Sequence, residues 1–449
     1  MIRTFPVARL LAALLAAWAG AAAAQAEPPD LPPEAAAVPA PAHPVLGWSA
    51  FGTLGWAQSN RAWRYQRHID DDGTVRRDSV LGAQLDAQFS PEWSATLQAR
   101  LAPSDENGSA WSLRPSWAFV AWRPDNNWLV RGGKLRVPFF LRSEQLDVGQ
   151  TYDEARLPAE LYTIAPTSDL SGAHVSHSMD LGGGELSVDV YSGSTGVKRR
   201  SWTREGLPPL VPAGEGISRV TTRATGIVLT WSDERTKIRA GAHAVRTRMN
   251  DQSGILVRPT WAPLGPGVGY WQTSNALPGP GVESVDSFRN YLFVLGGEFG
   301  LPQGWRVSPE LVRLVQADTH MGMDAWAGAL TVSRSMGRLT PYVSLAWLHS
   351  TGSSYEIGEQ LESTQVPAMV PGSAMLNATM RLAADRVPSY RQNSVALGLA
   401  WALTPTSKLK AEWSHTRAKR SAMIDVPAGE SLLKPRSVDV LSVNYSFVF

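Results

Sequence analysis

The sequence predicts an all-β protein: a transmembrane antiparallel β-barrel of about 16 strands, with short periplasmic turns on one rim and long extracellular loops on the other. Three observations carry this. Polar and apolar residues alternate with period two in one segment after another. The connections between those segments alternate strictly between short and long. Aromatic residues gather where the segments meet the short connections. Side chains of a strand point to opposite faces in turn, so each segment has one apolar and one polar wall.

Taken in order, residues 1–26 (MIRTFPVARLLAALLAAWAGAAAAQA) open with Arg3 and Arg9, continue through an apolar run from about Leu10 to Ala23, and end in Ala24-Gln25-Ala26. That is the layout of a signal peptide cut after Ala26. No later stretch approaches the roughly 18–20 apolar residues of a transmembrane helix, so any membrane crossing falls to strands. Residues 27–45 (EPPDLPPEAAAVPAPAHPV) read as a Pro/Ala-rich periplasmic linker, and the barrel takes up 46–449. In LGAQLDAQF (81–89), Leu81, Ala83, Leu85, Ala87 and Phe89 oppose Gln84, Asp86 and Gln88. WSATLQARL (93–101) repeats the pattern, as do GELSVDVY (184–191), TKIRAGAHA (236–244) and SKLKAEWSH (407–415). The last stretch, LSVNYSFVF (441–449), places Leu441, Val443, Tyr445, Phe447 and Phe449 on one face.

The alternation predicts strands at 46–59, 79–90, 93–101, 113–123, 128–136, 171–180, 184–193, 221–231, 236–247, 286–299, 304–315, 324–335, 339–348, 391–401, 407–416 and 436–449. Long loops fall near 60–78, 102–112, 137–170, 194–220, 248–285, 316–323, 349–390 and 417–435. Short turns (SPE, PDNN, DLGG, SDER, GLPQ, MGR, ALTPT) separate them. An even strand number with two classes of connection describes a membrane barrel, whereas sandwich and propeller connections do not sort in this way. Phe89, Trp93, Trp122, Trp128, Trp231, Phe299, Trp305 and Trp401 flank the short turns, as an interfacial girdle requires.

Lys plus Arg number 42 against 40 Asp plus Glu, and loss of Arg3 and Arg9 with the leader brings 42 − 2 = 40 against 40. A balanced chain of this kind argues against nucleic acid as a partner. There is no cysteine, hence no disulfide and no thiolate metal site. Enzymatic motifs are missing: no HExxH, no GxSxG, and GPGVGYW (265–271) lacks the Lys-Ser/Thr of a phosphate loop. Ser414 and His415 point to opposite faces, and His174 and His177 differ in phase. The expectation is a non-enzyme without cofactor or metal.

FGTLGW (51–56), GAQLDAQFSPEWSATLQAR (82–100), WLVRGGKLRVPFFLRSEQLDVG (128–149) and the terminal Phe449 resemble proteobacterial porin-like proteins of the sixteen-stranded porin superfamily. The resemblance implies a homotrimeric passive diffusion channel in the outer membrane of a Gram-negative bacterium, whose third long loop folds into the pore. It implies outer-membrane lipid and lipopolysaccharide as surroundings. It also implies recognition of Phe449 by the outer-membrane assembly machinery.

A barrel of about sixteen strands is too wide for its own side chains to fill and leaves an aqueous channel, selected by its constriction. The loop at about 138–170 suits that role: Phe139, Phe140, Leu141, Leu146, Leu161 and Ile164 need burial, while Glu144, Asp147, Asp153, Glu154, Glu160 and Asp169 outnumber Arg142 and Arg156. Strand phase puts Arg100, Lys237, Arg239, Arg306, Lys408 and Lys410 on the inner wall, with Arg131 near it. Lys134 and Arg136 have the opposite phase from Arg131, which requires a bulge or a different strand phase. An acidic loop facing a basic wall would set a transverse field across a water-filled gap. Asp86, Glu185, Asp189, Glu298, Glu310 and Glu412 share that wall, so weak ion selectivity is expected for small hydrophilic solutes. Two alternatives stay open: a selective channel for small organic acids or phosphate, using Arg142 and Arg156, and a non-conducting barrel that displays the loops at 248–285 and 349–390.

Overall fold

The computed structural model describes residues 45–104, 110–165, 167–251 and 254–449. The leader, and the linker before Val45, lie outside them. Twenty strands follow in chain order: β1 Val45–Ser59, β2 Val80–Gln88, β3 Trp93–Pro103, β4 Trp111–Trp122, β5 Trp128–Arg136, β6 Asp169–Leu181, β7 Gly184–Thr203, β8 Gly214–Ser232, β9 Thr236–Met249, β10 Ile255–Leu256, β11 Thr260–Gly265, β12 Val268–Gln272, β13 Ser284–Val285, β14 Ser287–Gly300, β15 Trp305–Gln316, β16 Ala325–Arg334, β17 Leu339–Ser350, β18 Arg391–Thr404, β19 Ser407–Arg420 and β20 Arg436–Val448. Sixteen of them, β1–β9 and β14–β20, form one closed barrel in which each strand pairs with its neighbours in sequence. β1 closes it against β20 from Phe51↔Val448 to Ser59↔Val440. Phe449 extends that seam, its amide donating to the Ala50 carbonyl at 2.8 Å.

Dyad patterning becomes an inside and an outside. In β17, Val343 and Leu345 are exposed while Tyr342, Ser344, Ala346 and Leu348 are buried. In β20, Leu441, Val443 and Tyr445 are exposed and Ser442, Asn444 and Ser446 are at most 1% exposed. An apolar side chain exposed on the outside of a closed barrel faces lipid, and a polar one buried there is covered from the lumen. At the short-turn rim Trp93 and Trp122 stack at 6.1 Å between ring centroids, and Trp128 lies 4.3 Å from the His177 ring.

The loops on the other rim are L1 (60–79), L2 (104–110), L3 (137–168), L4 (204–213), L5 (250–286), L6 (317–324), L7 (351–390) and L8 (421–435). The predicted strands match to within a few residues, with three differences. β7 and β8 continue to Thr203 and back from Gly214, through residues expected to be loop. Above the membrane both faces of a hairpin can be wet, so STGVKRRSWT carries no alternation to read. L5 holds two small hairpins, β10–β13 and β11–β12. L7 holds two helices; with α1 (Ala159–Tyr162) in L3, these are α2 (Gly352–Ser363) and α3 (Ser373–Arg386). Ile357, Leu361, Met380 and Ala384 from the helices bury against Ala262 and Tyr270 of L5. Arg204 fastens this cap, bonding Glu362 at 2.7 Å and Asp385 at 2.6 Å.

The lumen differs from the wide aqueous channel that strand count alone implies. Val294, Val312, Leu314, Leu348, Val438 and Val440 of the inner wall form one apolar cluster with Phe139, Phe140, Leu161 and Ile164 of L3, Tyr65 and Ile69 of L1, and Ile424 and Val426 of L8. The wall cannot fill the barrel, but three inward loops fill much of it.

Leu345→Arg, placed centrally on the lipid face of β17, is expected to destabilise the barrel by about 2–4 kcal/mol. Urea titration of barrel refolded into lipid vesicles measures this; Leu339→Arg, on the same face at the turn end of β17, should cost less than half as much.

Candidate functional site

L3 leaves the wall between β5 and β6 and crosses to the far side. Its first anchor is backbone. The Leu141 amide donates to Glu310 Oε1 at 2.8 Å, and Arg239 Nη1 donates to the Phe140 carbonyl at 2.9 Å. Phe139 packs edge-on against His243 at 4.9 Å and Tyr191 at 6.4 Å. Further along, Lys410 Nζ donates to the carbonyls of Gly149 and Glu154 and lies 4.1 Å from the centre of the Tyr152 ring. Tyr342, whose ring lies over Gly398, donates to Glu412 Oε2 at 2.8 Å and accepts from the Ala155 amide at 2.8 Å. Asn444 Nδ2 donates to the Ala155 carbonyl at 2.6 Å, and Gln392 Nε2 donates to Glu160 at 2.7 Å. Tyr162 returns to Glu310 Oε2 at 3.0 Å.

The ion pairs correct the expected electrostatics. Glu144, Asp147 and Asp153 of L3 touch the basic wall instead of facing it across water, whereas Glu160 meets the neutral Gln392 and Glu154 lies by Arg142 of L3 itself. Asp147 bridges Arg100 at 2.8 Å and Arg136 at 2.6 Å, and Arg136 also holds Asp169 at 2.6 Å. Glu144 pairs with Arg239 at 3.1 Å, and Asp153 with Lys408 at 2.8 Å and Arg306 at 3.3 Å. Arg142 sits between Glu298 at 2.9 Å and Glu154 at 4.0 Å, so it is already matched by carboxylates. Arg156 binds Asp78 of L1 at 2.9 Å and donates to Ser442. Lys237 stands opposite Glu298 in the β9–β14 register. Arg131 donates to His174 Nδ1 at 3.3 Å and lies near enough to Glu144 to act on it through charge.

Burial pushes the Asp147 carboxyl up, but the Arg136 and Arg100 guanidiniums outweigh it and hold it below the usual carboxylate range. Burial likewise raises Glu144, and Arg239 brings it below that range.

Sequence phase misplaced one residue. Arg131 and Arg136 both turn inward although an odd number of positions separates them, which an unbroken strand forbids. Between them lies Gly133, with φ 135°, where a Cβ would collide with the Ala118 carbonyl. Only glycine accepts that backbone. Opposite, β4 has an irregular register near Pro115 and Ser116. The consecutive glycines of WLVRGGKLR were the available signal. Asp78, Arg77 and the tyrosines of the network were missed; the charged run TVRRDSV (74–80) before β2 was their one trace.

Inside the loops lies a cavity of about 540 Å³ lined by L1, L3 and the walls of β2, β3, β19 and β20. Among the described residues no group of three or more His, Cys, Asp or Glu is placed to hold a metal ion.

No protein-family model matches the sequence, and no curated protein matches it. The fold does have relatives among solved structures. OmpTdeltaL8, a loop-deletion mutant of the outer membrane protein OmpT of Vibrio cholerae, superposes with a TM-score of 0.50 at 8% identity over 90% of this chain and 99% of that one. The outer membrane channel DcaP of Acinetobacter baumannii does so with a TM-score of 0.50 at 10% identity, over 91% and 98%. The architecture they share with this chain is the closed antiparallel barrel, here of sixteen strands. At these identities the likeness concerns the fold, and the network that holds L3 is described from this chain alone.

Removing Arg136 should leave Asp147 and Asp169 short of a buried partner and weaken the L3 clamp by about 3–5 kcal/mol, whereas Arg306→Ala, at a partly exposed pair, should cost under about 1 kcal/mol. Hydrogen exchange of the L3 amides reads the difference: R136A should raise exchange across 141–152 and R306A should not. Because Asp147 and Glu144 have lowered values, their contribution is present above the ordinary carboxylate range near 4 and is lost as pH falls through the lowered values. L3 should therefore stay protected down to about pH 4 and loosen only below it, after correction for intrinsic exchange.

Proposed function

We propose that this chain forms a porin-type channel in the bacterial outer membrane, through which small hydrophilic solutes diffuse passively. The observation that carries the reading is L3: a loop drawn across the lumen and pinned by a polar, ion-paired network, inside a barrel whose outer wall is apolar. The wall as a whole carries both signs, which supports weak discrimination among small inorganic ions. The wider reading includes export by a signal peptide ending at Ala26, insertion by the assembly machinery through the Phe449 strand, contact with lipid and lipopolysaccharide, and a homotrimer.

A second reading is favoured by the apolar cluster of the inner wall with L1, L3 and L8. If that packing seals the lumen, the barrel is a scaffold for the L5–L7 cap and passes nothing.

Planar bilayers decide between them. Mature chain refolded and inserted should give stepwise current, with steps in groups of three for a trimer. A correctly inserted barrel without current would overturn the channel reading and leave the scaffold.

A further inference from the structure

The β7–β8 hairpin outgrows the barrel. β6 pairs with β7 only as far as Ser171↔Ser194, and β9 with β8 only as far as Val220↔Met249, yet β7 and β8 go on pairing from Lys198↔Arg219 to Thr203↔Gly214. Residues 198–219 are therefore an arm of two strands with no third strand beside it. Its β7 side, residues 198–203, reaches roughly 20 Å at about 3.3 Å per residue. A ribbon of two strands is marginal by itself in water, so its contacts decide where it lies.

Those contacts are on the opposite side of the mouth. β7 is seventh and β19 fifteenth of the sixteen barrel strands in ring order, half a circumference apart (15 − 7 = 8). Arg200 nonetheless bonds both carboxylate oxygens of Asp425 in L8, at 2.8 and 2.5 Å, and Trp202 Nε1 donates to the Val426 carbonyl at 2.9 Å. Arg204 grips both helices of L7, Glu362 of α2 at 2.7 Å and Asp385 of α3 at 2.6 Å, and donates to the Glu430 carbonyl of L8 at 2.7 Å. The Gly429 amide donates to Glu205 at 3.0 Å, and Glu215 on the other strand of the arm pairs with Arg67 of L1 at 2.7 Å. Groups rooted on opposite sides of the ring meet over the mouth. Beneath them, Arg200 also lines the cavity between L1 and L3.

The arm is held differently from everything around it. L3 and L8 share the apolar cluster of the inner wall, and α2, α3 and L5 share their own; no residue of 198–219 belongs to either cluster. The arm is fastened by polar point contacts, with Arg204, Glu362, Asp385 and Asp425 side chains at most 5% exposed. Elements with few buried apolar contacts are the ones that open locally, and lids are drawn from them. At the foot of the arm stands Gly196, where a Cβ would meet nothing within 4 Å and φ is not positive. Neither packing nor a left-handed backbone requires glycine there, and a glycine inside a strand loosens it.

We propose that this arm is a lid over the long-loop mouth, clasped by Arg200 and Arg204, and that solutes enter the cavity and lumen when the clasp releases. The proposal rests on the reading of the barrel as a solute channel and supplies its gate. Lids of this kind open as units on the microsecond to millisecond scale, so the gate belongs to the arm and leaves L3 in place.

The chain has no cysteine, so Trp202→Cys and Val426→Cys together can be joined selectively by a short cleavable bismaleimide in the refolded barrel. In planar bilayers the joined barrel should pass severalfold less current than the same barrel after cleavage. Arg204→Gln should act in the opposite sense and raise mean current severalfold. Heat-modifiable gel mobility certifies folding, and Arg200→Gln serves if Arg204→Gln is not folded. Hydrogen exchange should rise across 198–219 in R204Q and stay unchanged across 141–152, which a general loosening of the loops would not do. Current unchanged by a cross-link that mass spectrometry confirms, or unchanged when the arm is released in R204Q, would overturn the lid and leave the channel reading standing. No current from any form, the released arm included, would overturn the channel reading and the lid with it.

Discussion

Every part of this structure follows from one constraint: in hydrocarbon, each backbone amide and carbonyl must find its partner within the protein. Strands satisfy this only if the sheet has no edge, so β1 must meet β20, and the pairing runs from Phe51↔Val448 through Ser59↔Val440. Closure fixes the direction of every side chain on the sixteen strands. Leu441, Val443 and Tyr445 must be apolar because lipid is what they meet, while Ser442, Asn444 and Ser446 are free to be polar. The same seam turns the last strand into an attachment surface. Asn444 and Ser442 hold Ala155 and Arg156 of L3.

Closure also creates the problem that the loops solve. Sixteen strands enclose more space than their inward side chains occupy. The outer half of the wall answers with Val294, Val312, Leu314 and Leu348, residues that would be misplaced against open water. Phe139, Phe140, Leu161 and Ile164 cover them, and Met423 and Ile424 join from L8. L3 therefore has two natures along its length: apolar where it meets the outer wall, ionic where it meets Arg100, Arg136, Arg239 and Lys408. The apolar half gives adhesion without direction. The ion pairs supply position, since each of Asp147, Asp153 and Glu144 is met by a specific cation.

The barrel was legible because its signal is local. Period-two patterning needs only a strand and two solvents, and it located all sixteen strands to within a few residues at most ends. It failed where the solvents become the same, in the outer half of the β7–β8 hairpin, where both faces are wet. Helices α2 and α3 were hidden for a related reason: their buried faces serve the L5 hairpins rather than a continuous core, so SSYEIGEQLES and SAMLNATMRLAADR show weak periodicity. At the site, composition identified L3 and many of its partners, but not the geometry. The predicted gap between loop and wall is absent because desolvated opposite charges gain most in contact. Arg136 was set aside on parity, yet it holds both Asp147 and Asp169.

Contact pairing on this scale reallocates charge in the lumen. When L3 folds in, its Glu144, Asp147 and Asp153 pair with wall cations of β3, β5, β9, β15 and β19. L1 then brings Arg67, Arg76 and Arg77 to the same side of L3, accompanied in the cavity lining by Asp78 alone from that loop. Net charge is conserved along the chain, but potential is set by which groups remain exposed to the same water. What the lumen discriminates therefore follows from which groups remain in the same water once L3 and the wall have paired, and not from the overall balance of the composition.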